Sequence, residues 1–398
     1  MTWEIRKLAD CASFKSGGTP NKGIAEYWGG EIPWVSSGEM SLQFIVDTTL
    51  HITDAGAAAG SRLVPAGTTL VVVRGMSLAT EFRVSYVTKD MAFNQDLKAL
   101  TAKDGINPYF LFSTLRAHSQ AIRDLATEAG HGTKKLEMER LQSFCIPVPD
   151  VDTQAHVSGK VRNFDTLIET NRKRIALLEE AASLLYREWF VNWRYPGHAI
   201  KMSSGLPQGW KKLPLAEIAE VNRASLGAKD KPEEIQYIDI ASVETGIISG
   251  ATKMPYVDAP GRARRLVQHG DVIWSCVRPN RRSYALLWEP ASDVVVSTGF
   301  AVLTARSVPF SYLYFATTSD EFVAYLTNRA TGAAYPAVSG RDFEEAPLLC
   351  PSADVLQSFN EQCLPILELR SNLILQNVHL TEARDALLPK IMSGELAV

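Results

Sequence analysis

The sequence predicts an α+β fold: two tandem, pseudo-symmetric α/β domains separated by a two-helix antiparallel coiled coil. Three observations predict it. The first is an internal repeat. Leu100-Thr101-Ala102 followed by Tyr109 returns as Leu303-Thr304-Ala305 followed by Tyr312, both 203 positions on. Leu63, Val64 and Gly67 return as Leu266, Val267 and Gly270, and each set precedes a β-rich run ending in an arginine, Arg74 or Arg278. Trp3 is echoed by Trp210, and Gly130 by Gly332. A period this long is too long for a solenoid and means two copies of one domain. The second observation is a heptad seam through Val157, Val161, Phe164, Ile168, Asn171, Ile175, Leu178, Ala182, Leu185 and Trp189. The third is its counterpart through Val355, Phe359, Gln362, Ile366, Leu369, Leu373, Gln376, Leu380, Ala383 and Leu387. Sustained four-three spacing marks a coiled coil, and two seams of matching length in one chain pair most simply with each other.

The elements follow in order. Residues 1–150 form the first domain, with short strand-like runs such as Leu70–Val73 and Val84–Val87 broken by Gly, Pro and Asn turns. Asn107 followed by Pro108 reads as a cap and first helical position ahead of YFLFSTLRAHSQAI. Residues 151–195 carry the first long helix; a span of 153–190 would run roughly 57 Å at 1.5 Å per residue. Residues 196–209, rich in Gly, Pro and Ser, form a linker. Residues 210–351 form the second domain and 352–398 the second long helix. A chain with its own pseudo-two-fold suits two half-sites on a two-fold ligand, of which duplex DNA is the commonest.

Composition bounds the function. Hydrophobic content of 46% and charge of 21% are ordinary for a globular chain. No apolar run is long enough to cross a bilayer, so no membrane partner is expected, and MTWEIRKLADCASF has no signal-peptide core. Five dispersed cysteines without a CxxC argue against disulfide frameworks and zinc ribbons, and for a reducing cytoplasm. A net charge of −3 counts against a simple nucleic-acid binder and directs attention to local patches.

Three stretches carry a family resemblance. SGGTPNKGIAEYWGGEIPWVSSGEM (16–40), LLEEAASLLYREWFVNWRYPG (177–197) and LTEARDALLPKIMSGEL (380–396), in this order and with the repeat, resemble the specificity (S) subunit of Type I restriction–modification systems. The resemblance covers essentially the full length. It implies two target-recognition domains, each reading half of a split double-stranded DNA sequence. It also implies that the conserved helices dock two methyltransferase (M) subunits, which carry S-adenosylmethionine and methylate adenine N6. Restriction (R) subunits with ATP and Mg would join through the complex. No cofactor, metal or catalytic residue is expected in this chain.

The chemistry-bearing motifs agree with that absence. Asn107-Pro108-Tyr109-Phe110 approximates an adenine-methyltransferase tetrapeptide but lacks its second proline, and no glycine-rich cofactor loop accompanies it; a helix cap explains it better. Gly130-His131-Gly132-Thr133-Lys134 lacks phosphate-loop spacing and reads as a flexible basic turn. Asp96-Leu97-Lys98 could be part of a nuclease triad, but its repeat partner Gly299-Phe300-Ala301 favours a solvated strand.

DNA-facing candidates are richer. Arg262, Arg264, Arg265, Arg278, Arg281 and Arg282 face one acid, Asp271, in 21 residues; arginine suits phosphate and the guanine edge alike. The first copy offers Lys15, Arg74, Lys134 and Lys135, with Lys22 and Arg83 dispersed around them, and the amides Asn94 and Gln95, which are able to read adenine but equally suited to capping. Lys160, Arg162, Arg172, Lys173 and Arg174 read as helix-solvating charge. Trp189, Phe190 and Trp193 are either core or a docking patch for a methyltransferase subunit. Two other readings remain open here: a stand-alone DNA methyltransferase or nuclease, and a scaffold that reads no bases.

Overall fold

The repeat in the sequence is a repeat of strand order. The computed structural model describes residues 3–130, 132–196, 202–203, 205–227, 229–230 and 232–396. Much of the expected linker, residues 197–201 and 204, lies outside the described residues. The chain forms two compact units, residues 1–170 with 376–398, and residues 171–375. These units cut across both long helices, so each takes a part of each.

In the first unit a five-stranded sheet runs Ala12–Ser16, Leu97–Ala102, Thr69–Val72, Val84–Val87, Phe44–Ile45. A four-stranded sheet runs His51–Ile52, Trp28–Val35, Met91–Phe93, Leu63–Val64, with the middle pair parallel. The second unit repeats the plan. Ala219–Val221, Phe300–Ala305, Val272–Ser275 and Tyr284–Leu286 make one sheet, and Thr252–Pro255, Glu234–Ile238, Val294–Ser297 and Ala263–Leu266 the other, again with a parallel middle pair. Strands Leu97–Ala102 and Thr69–Val72 map onto Phe300–Ala305 and Val272–Ser275 at the 203-residue offset.

The apolar run Leu70–Val73 is buried on both faces. Leu70 and Val72 pack with Val35, Phe93 and Leu97, while Val71 and Val73 pack toward the helix Pro108–Ala117. That helix starts as the cap predicts, with Asn107 Oδ1 accepting from Tyr109 N at 2.9 Å and Phe110 N at 3.1 Å. Both orphan donors of its first turn are thereby satisfied. It stops at His118, and a separate short helix covers Ser119–Arg123.

The first long helix is Val151–Tyr186, 36 residues, and the second is Ala353–Met392, 40 residues. They run antiparallel within each unit. In the first unit Asp165 meets Arg384 and Ile168 meets Asn377; in the second, Glu179 meets Arg370 while Tyr186 and Trp189 meet Phe359. The seam read for the first helix is the buried one: Val157, Val161, Ile168, Asn171, Ile175, Ala182 and Trp189 are all buried.

The second seam needs correction. Val355, Phe359 and Leu373 are buried as the seam expects, but Gln362, Leu369, Gln376 and Ala383 are exposed, and between and beyond those three the inward positions lie one residue later at Cys363, Leu367, Arg370, Asn377, Arg384 and Leu388. This face carries two arginines and an asparagine, so an apolar pattern passes over it. Its arginines are neutralised by acids on the facing helix, which a one-helix reading cannot see. The rod also needs qualification. Val157, Val161, Leu388, Ile391 and Met392 complete the first unit's core, and Ala182, Trp189, Phe190, Phe359, Cys363 and Leu367 the second's. The helix ends are therefore parts of the two cores rather than a free bar.

Candidate nucleic-acid interface

Each unit joins two loops into one platform. In the first unit the chain leaves Thr69–Val72 and forms Arg74–Gly75, which pairs antiparallel with Lys134–Lys135, itself paired with Thr127–Glu128. Arg74 sits opposite Lys135, and Gly75 opposite Lys134. The basic turn expected to be flexible is a hairpin instead. Gly130 at φ 96° reverses the chain, Thr133 N donates to Gly130 O at 3.0 Å, and Ala129 N donates to Thr133 O at 2.9 Å. His131 of that turn lies outside the described residues. Lys135 Nζ pairs with Glu137 at 2.9 Å. Arg74 is exposed and has no ion pair or side-chain hydrogen bond among the described residues.

The second unit makes the same junction with different side chains. The chain leaves Val272–Ser275, and Val277 bridges Ala337. Arg278 N donates to Pro336 O at 2.7 Å, and Arg278 Nη2 donates to Ala334 O at 3.0 Å. The guanidinium lies 4.4 Å from the centroid of the exposed Tyr335 ring. Tyr335 was missed in the sequence, although Gly332 marks its loop as the partner of the Gly130 loop. An exposed aromatic beside that glycine was the available signal.

The turn Pro279–Arg281 is bracketed by Arg278 at φ 52° and Arg282 at φ 56°. Left-handed backbone at two arginines costs of order 1–3 kcal/mol each and persists only where surroundings enforce it. Here Pro279 is buried, Arg282 pairs with Asp320, and the turn packs on the helix Asp320–Arg329.

The six-arginine cluster divides into two groups. Arg278, Arg281 and Arg282 belong to the turn, whereas Arg262, Arg264 and Arg265 lie on or beside the edge strand Ala263–Leu266. Arg262 Nε donates to Tyr237 Oη at 3.0 Å and lies 3.9 Å from Asp239. Arg264 donates to Tyr256 Oη and stacks on its ring. Arg265 donates to Ser225 Oγ at 3.1 Å, and its charge opposes the burial that pushes the Cys276 thiol up to about 11. Most of these partners are hydroxyls and carbonyls, so the cluster keeps much of its positive charge.

Elsewhere in the first unit the candidates scatter. Lys15 is exposed beside a cavity of about 520 Å³ shared with Gly17, Gly60 and Arg62. Gln95 is exposed and accepts from Thr19 Oγ1 at 2.6 Å. Asn94 is corrected: it is buried, and its Oδ1 accepts from Asp96 N at 3.1 Å, capping the turn instead of facing a ligand. Arg83 Nε is held by Glu81 at 2.5 Å.

The aromatic docking patch is also corrected. Trp189 and Phe190 are 4% and 3% exposed. A π-helical turn over Arg187–Val191 rotates both consecutive side chains inward, Trp189 onto Phe359 and Phe190 onto Tyr312 and Phe359. Such a turn inserts a residue that the 3.6-residue period does not anticipate. Trp193 is half-buried and lines a cavity of about 430 Å³ with Phe190, Phe322 and Tyr325. Among the described residues no helix is long and apolar enough to cross a membrane.

Comparison with known proteins adds the family. Residues 1–180 match the family described as Type I restriction modification DNA specificity domain. The chain is 26% identical to the Type I restriction enzyme MjaIX specificity subunit of Methanocaldococcus jannaschii, over 100% of this chain and 94% of that one. It is 28% identical to the EcoR124I/EcoR124II specificity subunit of Escherichia coli, over 41% of each. Its fold resembles the crystal structure of the Type I restriction–modification S subunit from M. genitalium, with a TM-score of 0.59 and 16% identity over 98% of this chain and 96% of that one. The strand plan repeated in both units agrees with that likeness: residues 1–180 match the specificity-domain model, and over its full length the chain is similar to a Type I restriction enzyme specificity subunit.

Proposed function

We propose that each unit reads one half of a bipartite duplex target, and that the chain docks two adenine-N6 methyltransferase subunits and, through them, restriction subunits. One observation carries this reading: the junction of a core-strand exit loop with a glycine loop occurs twice, each time presenting cationic side chains in a chain of net charge −3. Phosphate contacts would position each unit, and side chains on the loops would read base edges. The two platforms differ, with Arg74, Lys134 and Lys135 in one and Arg278, Arg281 and Tyr335 in the other, which supports two half-sites of unlike sequence.

In this reading S-adenosylmethionine belongs to the methyltransferase partner, and ATP with Mg to the restriction partner; the complex works in the cytoplasm. Exposed Leu177 and Leu184, one heptad apart on the first long helix, and Leu375 on the second offer apolar contacts for such partners.

The test is to express the chain with its methyltransferase partner and map adenine methylation by sequencing. The expected result is a two-block motif with an unspecified spacer. Replacing residues 1–149 by another recognition domain should change one block only. An unchanged motif after that swap would reduce the chain to a scaffold, and methyl transfer by the purified chain alone would make it an enzyme.

A further inference from the structure

The turn in the second unit separates its arginines by what their donors already do. Arg262, Arg264, Arg265, Arg278 and Arg282 each spend at least one N–H on a partner within the unit: Tyr237, Tyr256, Ser225, the Ala334 carbonyl and Asp320. Arg281 has no side-chain partner among the described residues and is exposed. Reading guanine O6 and N7 needs two parallel N–H donors at once. Arg264, Arg265, Arg278 and Arg282 already donate at a terminal nitrogen and Arg262 at Nε, so Arg281 is the one of the six with every N–H unengaged among the described residues.

Its backbone is fixed while its side chain is free. Arg281 N donates to Arg278 O at 2.9 Å and Arg282 N to Pro279 O at 3.0 Å, closing the turn between two left-handed residues. Pro279 anchors the turn inward, and Arg282 ties its far end to Asp320. On the near side Arg278 stacks on Tyr335, binding the turn to the glycine loop. A rigid mount with one unengaged fork is what base readout requires. Arginines already held at defined points suit phosphates, which need charge more than geometry.

We infer that Arg281 is a specificity-determining residue that reads a guanine in the half-site of the second unit, with Arg278 as a positioning residue for its turn. The inference rests on the DNA-reading function proposed above. The first unit has no arginine at the repeat-related position, where the chain reads Ser77-Leu78; the two half-sites should therefore differ at this base.

The experiment uses the full chain with its methyltransferase partner and maps methylated adenines for wild type, Arg281→Ala and Arg281→Lys. The block read by the second unit is the one that changes when residues 210–351 are exchanged. In Arg281→Ala, a guanine preference of roughly 5- to 150-fold at one position of that block should collapse, with the other block unchanged. Gel-shift salt slopes should stay close to wild type. An intact motif with uniformly lower methylation, and a salt slope reduced by about one, would make Arg281 a phosphate contact and overturn the inference. If Arg281→Ala methylates nothing, Arg281→Lys decides: a motif relaxed at that base keeps the inference and the wild-type motif ends it. A wild-type complex without any two-block motif would instead defeat the functional reading itself.

Discussion

Asp165→Asn tests how the first unit holds its two long-helix segments together. The Asp165 carboxylate is fully buried. It accepts from Tyr109 Oη at 2.6 Å, Arg116 Nη1 at 2.9 Å and Arg384 Nη1 at 3.0 Å. The two guanidiniums are themselves only 12% and 10% exposed, and burial pulls the Arg116 pKa down. An amide of the same shape keeps some hydrogen bonds but removes the charge that balances both arginines. Losing a charge-assisted hydrogen bond costs about 1.5–3 kcal/mol. Leaving a buried charge uncompensated costs about 3–5 kcal/mol. The second effect dominates because Arg116 loses the acid it pairs with, while Arg384 keeps only the half-exposed Asp385, 2.8 Å from its Nε.

The chain has two units, so a global unfolding curve has no single free energy. Amide hydrogen exchange over 108–117 and 151–170 gives the local value. Protection there should fall by about 3–5 kcal/mol, with little change over 210–351. A loss below about 0.5 kcal/mol, the level of an ordinary surface substitution, would refute the view that this carboxylate holds the helix pair. Replacing Asp165, Arg116 and Arg384 together by apolar residues of similar volume should recover most of the loss, since a buried ionic cluster contributes less than its disruption costs. In the second unit Glu179→Gln should also destabilise, since Arg370 is only 4% exposed, with water at the 30% exposed Glu179 offsetting part of the lost charge.

Three further outcomes follow from the packing and titration. Trp189→Ala should cost about 3–5 kcal/mol, measured by exchange in the second unit, because the ring is core; a variant of unchanged stability that loses only partner binding would restore the docking-patch reading. Folding stability should hold below about pH 10 and decline above it: burial raises Tyr86, Tyr109, Tyr186, Tyr284, Tyr312 and Tyr314, so the folded chain keeps protons that the unfolded chain releases. Melts flat between pH 9 and 11.5 would contradict this. At pH 8 a thiol reagent should modify exposed Cys145 first, while Cys11 and Cys363 are buried and the Cys363 thiol is pushed up to about 12; peptide mapping of early modification reads the order.

The sequence by itself determined the duplicated domain, the strand pairs at the 203-residue offset, the Asn107 cap and the first helical seam. These are short-range or periodic properties, written in residue spacing. Part of the second seam slipped by one residue because Arg370, Asn377 and Arg384 face inward, while Val355, Phe359 and Leu373 are buried as read. Their burial depends on Asp165, Glu179 and other groups distant in sequence, so no single-helix pattern contains it. Asn94 and Gln95 are neighbours of like chemistry, yet one caps a buried turn and the other is exposed, a choice made by the strands around them. Trp189 and Phe190 joined the core through a π-helical turn, a local insertion that periodicity does not encode. Tertiary structure alone set Arg74 against Lys135 and Arg278 against Tyr335, and left the Arg281 fork free. Those pairings join segments about 60 residues apart, and a linear sequence specifies them only through the packing of the whole unit.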